Sequence, residues 1–431
     1  MSRPWIAAIE GFYGPPLSRQ ARLDLLAWLP SAGYTSYAYG PKDDRDLRDA
    51  WREPFSDTSL LAEMLAAATA AGIDLSVGVS PGLDWRGPED HAPLVAKLQQ
   101  LYDLGLRHLG VYWDDTPTGG ADLGRAQGEA VAAAAAALPG DVRWLTVGVD
   151  YATDHVTSYL RAFADALPPD AVIAWTGPAI TSPDVPAEMA RRLADELGRP
   201  LLLADNWPVN DLGMSGVLHL GLPPYREPAL RDAVAGVGFN FMSRPLASRP
   251  GLATAARHWL CPDEDRETAW YDEIASFPGL LPLARACRSW IDEPGPDAEL
   301  LSWLEPAMQG DTRLLDYFDA GVRADLPADW QAELEPWLHQ WEVEAFVAMV
   351  AIQLVNGMYA DGTVALGIGD VWGALHRAEH QVFGIRFAVY GVSYRAGDRL
   401  LPSPATVVKG DSLVDQLLMR VLTTLQEQHS A

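Results

Sequence analysis

Over its first 260 residues the chain alternates between short apolar runs and amphipathic helical stretches, with Gly or Pro at most junctions. No other feature restricts the fold so strongly. Strands joined one after another through helices must run parallel, and their crossovers close them into a barrel or spread them into a doubly wound open sheet. The strand-like runs are Trp5-Ile-Ala-Ala-Ile9, Tyr34-Thr-Ser-Tyr-Ala-Tyr39, Leu75-Ser-Val-Gly-Val-Ser80 and Leu109-Gly-Val-Tyr-Trp113. Val142-Arg-Trp-Leu-Thr-Val147, Ala171-Val-Ile-Ala-Trp175, Leu201-Leu-Leu-Ala204 and Ala235-Gly-Val-Gly-Phe239 follow. The alanine-rich run near Val131 is made of strong helix formers and fits the fourth helix. About eight such units match an α/β fold of the (β/α)8 TIM-like barrel type, with the open sheet as the alternative.

Polar residues collect at one end of these units. Glu10-Gly-Phe-Tyr-Gly14 follows the first strand, Gly40-Pro-Lys-Asp-Asp44 the second and Ser80-Pro-Gly-Leu-Asp84 the third. Asp114-Asp115, Asp150-Tyr151, Trp175-Thr-Gly-Pro178, Asp205-Asn-Trp-Pro-Val-Asn-Asp211 and Asn240-Phe-Met-Ser243 follow the rest. Any one of these could be an ordinary turn or helix cap. In a barrel all of them open on the C-terminal face, where such folds carry their chemistry.

The stretch His108-Leu-Gly-Val-Tyr-Trp-Asp-Asp115 is the sharpest of these signals. A strand sends successive side chains to opposite faces, so two adjacent acids share a site only where the strand stops and the backbone turns. Thr116-Pro-Thr-Gly-Gly120 supplies that turn. Two carboxylates held together repel, which tends to raise the pKa of one and leave the other ionised, as an acid and an orienting base require. Aromatics on the same face (Phe12, Tyr13, Trp113, Tyr151, Trp175, Trp207) beside carboxylates and carboxamides suit a sugar, with its apolar ring faces and hydroxyl rim. The clusters hold no His or Cys, which argues against a transition metal, and no Ser-His-Asp set is apparent. On ligand types alone a Mg²⁺ site from Asp114, Asp115 and Asp211 stays open.

These segments occur in an order that resembles glycoside hydrolase family 84, the β-N-acetylglucosaminidases that include O-GlcNAcases and bacterial hyaluronidase-like enzymes. The resemblance spans residues 5 to 260 and rests also on Trp51-Arg-Glu53. It implies a retaining exo-β-N-acetylglucosaminidase without a cofactor, in which the substrate's own 2-acetamido oxygen attacks the anomeric carbon and gives an oxazoline. Asp114 would accept the acetamido N–H. Asp115, with its pKa raised by Asp114, would protonate the leaving oxygen and later deprotonate water. The resemblance places Gly11, Lys42, Asn206, Asp211 and Asn240 around the sugar and Tyr151 near the reacting acetamido or anomeric region, with Trp175 as a pocket wall. The substrate implied is a carbohydrate or glycoprotein ending in β-linked GlcNAc.

Three places depart from the family pattern. Ala204 stands where a tryptophan is usual, leaving the acetamido pocket roomier unless Trp207 or Trp175 fills it. Val147-Gly-Val-Asp150 precedes Tyr151 in place of Cys-Pro-Thr-Glu, and Leu17 replaces a tryptophan. A hydrolase for a related N-acyl amino sugar is therefore the nearest alternative, and a catalytically inactive glycan-binding barrel is the alternative from another class.

Past Cys261-Pro-Asp-Glu-Asp-Arg266 the periodicity becomes helical, so the division expected is a barrel at 1–262 and an all-α bundle at 263–431. Its tryptophans (Trp270, Trp290, Trp303, Trp330, Trp337, Trp341, Trp372) fit a bundle core, with a protein-binding groove as the sharper alternative. Homodimerisation through those helices and a monomer are equally open. His376-Arg-Ala-Glu-His380 has the H-x-x-E-H form of inverted zinc peptidases but lacks an evident third ligand, so a solvated helix face is the better account. The net charge of -26 argues against nucleic acid and anionic membranes as partners. The two cysteines imply no disulfide framework. The N-terminal residues show no apolar signal region, which makes the cytoplasm the expected compartment.

Overall fold

The computed structural model describes residues 5–214, 216–288, 297–319, 322–355, 385–388, 394–396, 399–401, 406–409 and 413–430. Eight parallel strands close into a barrel: β1 (Trp5–Glu10), β2 (Ser36–Tyr39), β3 (Asp74–Val79), β4 (His108–Tyr112), β5 (Arg143–Val147), β6 (Val172–Trp175), β7 (Leu201–Asp205) and β8 (Gly236–Asn240). The last strand returns to the first, with Ala7 beside Gly238 and Ile9 beside Asn240. Helices α1 (Arg19–Trp28), α2 (Ser59–Ala71), α3 (His91–Asp103), α4 (Ala121–Ala137), α5 (Ser158–Ala166) and α6 (Ala187–Leu197) follow the first six strands, and α7 (Pro245–Leu260) follows the eighth. The open-sheet alternative is thereby excluded.

Local chemistry explains the helix boundaries. The Ser18 and Thr157 side chains accept the Ala21 and Leu160 amides and so start α1 and α5. Gly72 and Gly198 end α2 and α6 at φ 70° and 60°, a conformation costly for residues with a Cβ. The seventh unit is irregular. Among its described residues the β7–β8 connection holds two 3-10 turns, Leu212–Met214 and Pro228–Asp232, and no α-helix. Pro208, Pro223, Pro224 and Pro228 remove the amide hydrogens a helix needs there.

The strand period sorts the barrel's two faces. Ile6, Tyr37, Val77, Val111, Ile173, Leu203 and Val237 turn outward into the main apolar core beneath the helices. Six of the inward positions are small: Ala38, Gly78, Gly110, Ala174, Ala204 and Gly238. An inward ion pair is absent from this set, but an outward one anchors β1. Glu10 is fully buried and accepts from the Arg22 Nε and Nη2 (3.0 and 2.7 Å) and from the Tyr37 hydroxyl. Burial raises the Glu10 pKa against the opposing pull of Arg22. Glu10→Ala leaves the buried Arg22 without its counter-charge and should cost about 3–5 kcal/mol. A denaturant midpoint within experimental error of the parent's would contradict this.

The C-terminal region is mainly helical, including Arg266–Ala275, the long Ala328–Val355 and Leu413–Ser430. It also contains two short antiparallel strand pairs, Ile385–Ala388 with Thr406–Lys409 and Tyr394–Ala396 with Arg399–Leu401. Trp270, Trp330, Trp337 and Trp341 are buried in a second apolar core, as bundle-core residues should be. Trp303 is partly buried against it, and Trp290, Trp372 and the His376–His380 motif lie outside the described residues. That second core also takes in Leu218, Leu220 and Leu222 of the β7–β8 connection. Cys261 and Cys287 are free thiols. Among the described residues no helix is long and apolar enough to cross a membrane.

Candidate active site

The site is built at the C-terminal end of β4. Asp114 continues the inward series of Gly110 and Tyr112. Asp115 reaches the same side because its backbone turns to φ 58°, in the left-handed region that Asp tolerates better than most residues. The Thr116 hydroxyl closes the turn by donating to the Trp113 carbonyl at 2.6 Å. The requirement that adjacent acids can meet only where the strand stops is satisfied in this way.

Both carboxylates line a cavity of about 500 Å³ at the barrel mouth. Lys42, from the loop after β2, inserts its ammonium between them. It pairs with Asp114 Oδ2 and lies 3.6 Å from Asp115 Oδ2, with its side chain only 9% exposed. Burial works against the lysine's charge, but Asp114 and Asp115 outweigh it and raise its pKa above the ordinary range. The second oxygen of Asp114, Oδ1, is buried and has no hydrogen-bond partner. A buried carboxylate oxygen without a donor is costly, so Oδ1 has acceptor capacity that no protein group uses.

Asp115 is held differently. The Tyr13 hydroxyl donates to its Oδ2 at 2.7 Å and the Tyr151 hydroxyl to its Oδ1 at 2.9 Å. Burial pushes its pKa up, but Lys42, the two tyrosine hydroxyls and Arg48 together bring it below the usual value. The expectation that Asp114 would raise it is corrected: the intervening lysine cancels the repulsion between the pair. Both tyrosines are themselves raised, chiefly by burial, so they remain neutral donors.

The remaining polar wall comes from the first, seventh and eighth loops. Asn240 Oδ1 accepts the Gly11 amide at 3.2 Å, and its Nδ2 donates to Asn206 Oδ1 at 3.0 Å. Asn206 in turn donates to the Ile180 carbonyl, so the two carboxamides are locked as a pair. Asp211 accepts the Tyr13 amide at 2.8 Å, and burial raises its pKa to about 6. Behind this wall, the buried Asp205–Arg226 pair ties the seventh loop to the carbonyls of Ser182 and Pro183. The Trp51-Arg-Glu53 and third-loop segments serve as bracing: the Trp51 indole and Arg52 guanidinium both hold Asp84.

Gly11, Lys42, Asp114, Asp115, Tyr151, Asn206, Asp211 and Asn240 therefore share one cavity. Trp175 does not. It faces outward, buried in the main core, and its indole N–H donates to the Thr153 carbonyl. Strand alternation puts Ala174 in the cavity instead, so the expected pocket wall is corrected by one residue. Trp207 is likewise buried in the main core and does not fill the space beside Ala204. One contributor escaped the sequence reading of the site: Arg48, whose guanidinium lies 5.7 Å from the Tyr13 ring centre, carried no signal, whereas Tyr13 was already among the aromatics expected on this face. Among the described residues no three His, Cys, Asp or Glu side chains converge as a metal site.

Comparison with known proteins narrows the chemistry. Residues 6–288 match the model of a family described as beta-N-acetylglucosaminidase. Protein O-GlcNAcase of Rattus norvegicus and that of Mus musculus are each 27% identical over 236 residues, covering 51% of this chain. The match takes in 25% of those proteins, so the chain spans about a quarter of the length of the curated relatives. Among solved structures, a mutant O-GlcNAc hydrolase of Thermobaculum terrenum superposes with a TM-score of 0.79 at 21% identity, over 99% of this chain and 96% of that one. At that identity the superposition supports the fold.

Proposed function

Because this chain belongs to the beta-N-acetylglucosaminidase family, glycoside hydrolase family 84, we propose that it removes terminal β-linked GlcNAc from carbohydrate or glycoprotein substrates by substrate-assisted, retaining hydrolysis. The observation that carries this reading is the Asp114–Asp115 pair, with Asp114 Oδ1 buried and unpartnered while Asp115 is held by two neutral phenols. Asp114 Oδ1 accepts the acetamido N–H. This turns the acetamido oxygen toward the anomeric carbon, and the ionised carboxylate stabilises the positive charge that spreads over the ring nitrogen.

In the first step the acetamido oxygen bonds to the anomeric carbon as the bond to the leaving oxygen breaks, and the Asp115 proton passes to that oxygen. In the second, water adds to the anomeric carbon, gives its proton to Asp115, and the oxazoline C–O bond opens to restore the acetamide. Asp115 must start protonated, although Lys42 and the phenols favour its anion. The bound sugar ring strips water from it and strengthens the burial that raises its pKa. Lys42, Asn206, Asp211, Asn240 and the Gly11 backbone provide the polar rim for the sugar hydroxyls. We place the end of the barrel unit near residue 262, with the helical remainder as a separate unit behind the seventh loop.

The nucleophile is tested with aryl β-glucosaminides bearing acetyl, fluoroacetyl, difluoroacetyl and trifluoroacetyl groups. Fluorine drains the acyl oxygen, so kcat should fall steeply along the series. A flat series would exclude the acyl oxygen and require an enzyme carboxylate as nucleophile.

Asp211 sets the pH dependence of sugar binding. A carboxylate that accepts two hydroxyls must be ionised, and its pKa of about 6 means that it protonates as pH falls through that value. The Kd for free N-acetylglucosamine should therefore rise below about pH 6, and the dependence should vanish in Asp211→Asn. Calorimetric titration from pH 4.5 to pH 8 reads both, and a pH-independent Kd in the parent would refute the assignment.

A further inference from the structure

With 58 acidic residues against 32 basic ones, a half-buried arginine in this chain readily finds a carboxylate. Arg22 pairs with Glu10, Arg52 with Asp84 and Asp90, and Arg226 with Asp205. Arg48 departs from that pattern. It is half-buried on the loop that carries Lys42, and among the described residues its guanidinium makes no direct ion pair. Its Nη2 approaches the Tyr13 hydroxyl oxygen instead, at 3.5 Å, a long but charge-assisted contact. The turn that carries it is tied down. The Arg48 amide donates to the Asp44 carbonyl at 3.0 Å, Asp44 accepts the Tyr39 hydroxyl at 2.7 Å, and the Leu47 carbonyl accepts the Ser80 amide at 2.9 Å. Lys42 Nζ and the Arg48 guanidinium lie 5.8 and 5.7 Å from the centre of the Tyr13 ring, so two cations hold that ring. Arg48 does not itself line the cavity, and it reaches the chemistry only through its neighbours.

A phenol oxygen both donates and accepts, so its one proton has a choice of direction, whereas a guanidinium has only donors. With Arg48 on the acceptor side of the Tyr13 oxygen, the phenol proton goes to Asp115 Oδ2, 2.7 Å away. Tyr151 donates to the other oxygen at 2.9 Å. Once both phenols are fixed as donors, a proton on Asp115 has no acceptor between them and is left facing the cavity. The other charged groups that act on Asp115 are Lys42 at 3.6 Å, the adjacent Asp114 and Asp211, and none of them is hydrogen-bonded to the Tyr13 hydroxyl. We propose that Arg48 is a positioning residue for the acid–base step: it fixes the Tyr13 hydroxyl as a donor to Asp115 and so aims the Asp115 proton at the leaving oxygen. The proposal rests on the hydrolase reading above, which makes Asp115 the acid. The same guanidinium favours the Asp115 anion, in opposition to burial.

Arg48→Met removes the charge and the donors and keeps an apolar stem. For an unactivated alkyl β-N-acetylglucosaminide, kcat should fall by about tenfold, the scale of one hydrogen bond from a charged donor. KM should stay near that of the parent, because Arg48 does not touch the sugar. A dinitrophenyl leaving group, which departs without a proton, should recover most of the loss. Removing a nearby cation raises the pKa of a carboxylic acid, so Asp115 keeps its proton to higher pH. The alkaline limb of kcat for the alkyl substrate should therefore move up by about one pH unit. Arg48→Lys, still a donor-only cation, should bring the limb back toward that of the parent. Each limb is read against its own variant's maximum, so a loss of folded protein does not move it. If Arg48→Met leaves the limb where the parent has it, or loses the same rate with both leaving groups, Arg48 is bracing alone, and the proposal is overturned while the hydrolase reading survives. If the parent cleaves neither substrate, the hydrolase reading itself fails and this proposal falls with it.

Discussion

Asp115→Asn lowers kcat/KM for an alkyl or unactivated aryl β-N-acetylglucosaminide by about 100- to 10,000-fold, the range a lost general acid commonly costs. The same variant loses far less with a dinitrophenyl leaving group, which departs without a proton. The substitution is mild for the fold. The position sits at φ 58°, and Asn shares the tolerance of Asp for that region, whereas a β-branched residue would add backbone strain. The amide keeps an oxygen for one of the Tyr13 and Tyr151 hydroxyls, which donate to different oxygens of Asp115, and its NH2 can donate to the oxygen of the other. The rate loss is thus chemical and not conformational, and circular dichroism of the variant checks that directly. A loss independent of leaving group would mean that Asp115 does not supply the proton.

Asp114→Asn behaves differently. It removes the negative charge that balances the forming oxazolinium and leaves Lys42 with one carboxylate where it had two. Loss of one preorganised electrostatic contact of this type costs about 100- to 1,000-fold. Because the step affected is attack by the acyl oxygen, a better leaving group should give little rescue. Lys42, facing a neutral amide, turns its full attraction on Asp115 and lowers the pKa of the acid further, which adds to the loss. Leaving-group dependence measured in both variants separates the two roles. Equal dependence in both would contradict the division of labour between them.

Much of the fold was legible because each level of the chain repeats one message. Eight apolar runs with polar ends, alternating with helical stretches, admit few topologies, and each observed strand lies within two residues of its expected bounds. The seventh unit broke the rhythm. The sequence there is too rich in proline for a helix, and its apolar residues join a core built largely by the C-terminal helices, from Trp270 onward. The paired aspartates were legible from the turn that follows them. What they do to each other was not, because the decisive charge is a lysine 72 positions away whose insertion between them is a tertiary fact. Trp175 illustrates the finest limit. Beside a strand end, one residue separates cavity from core, and size and aromaticity favour both environments equally.

The β7–β8 connection has a consequence for how the molecule opens. It carries Asn206 and Asp211 yet, among its described residues, has no α-helix of its own to bury its apolar side chains. The covering comes from the C-terminal helices: the Trp337 indole donates to the Gly216 carbonyl at 3.0 Å, and the Trp270 indole to that of Leu220 at 2.9 Å. Amides in this connection should therefore exchange with solvent at the rate set by separation of the helices, and not at the slower rate of the strands beside them. Occupancy of the sugar rim and integrity of a distant helical core become one equilibrium. Destabilising the helices loosens the rim, and a sugar held by Asn206 and Asp211 in turn slows exchange in helices it never touches.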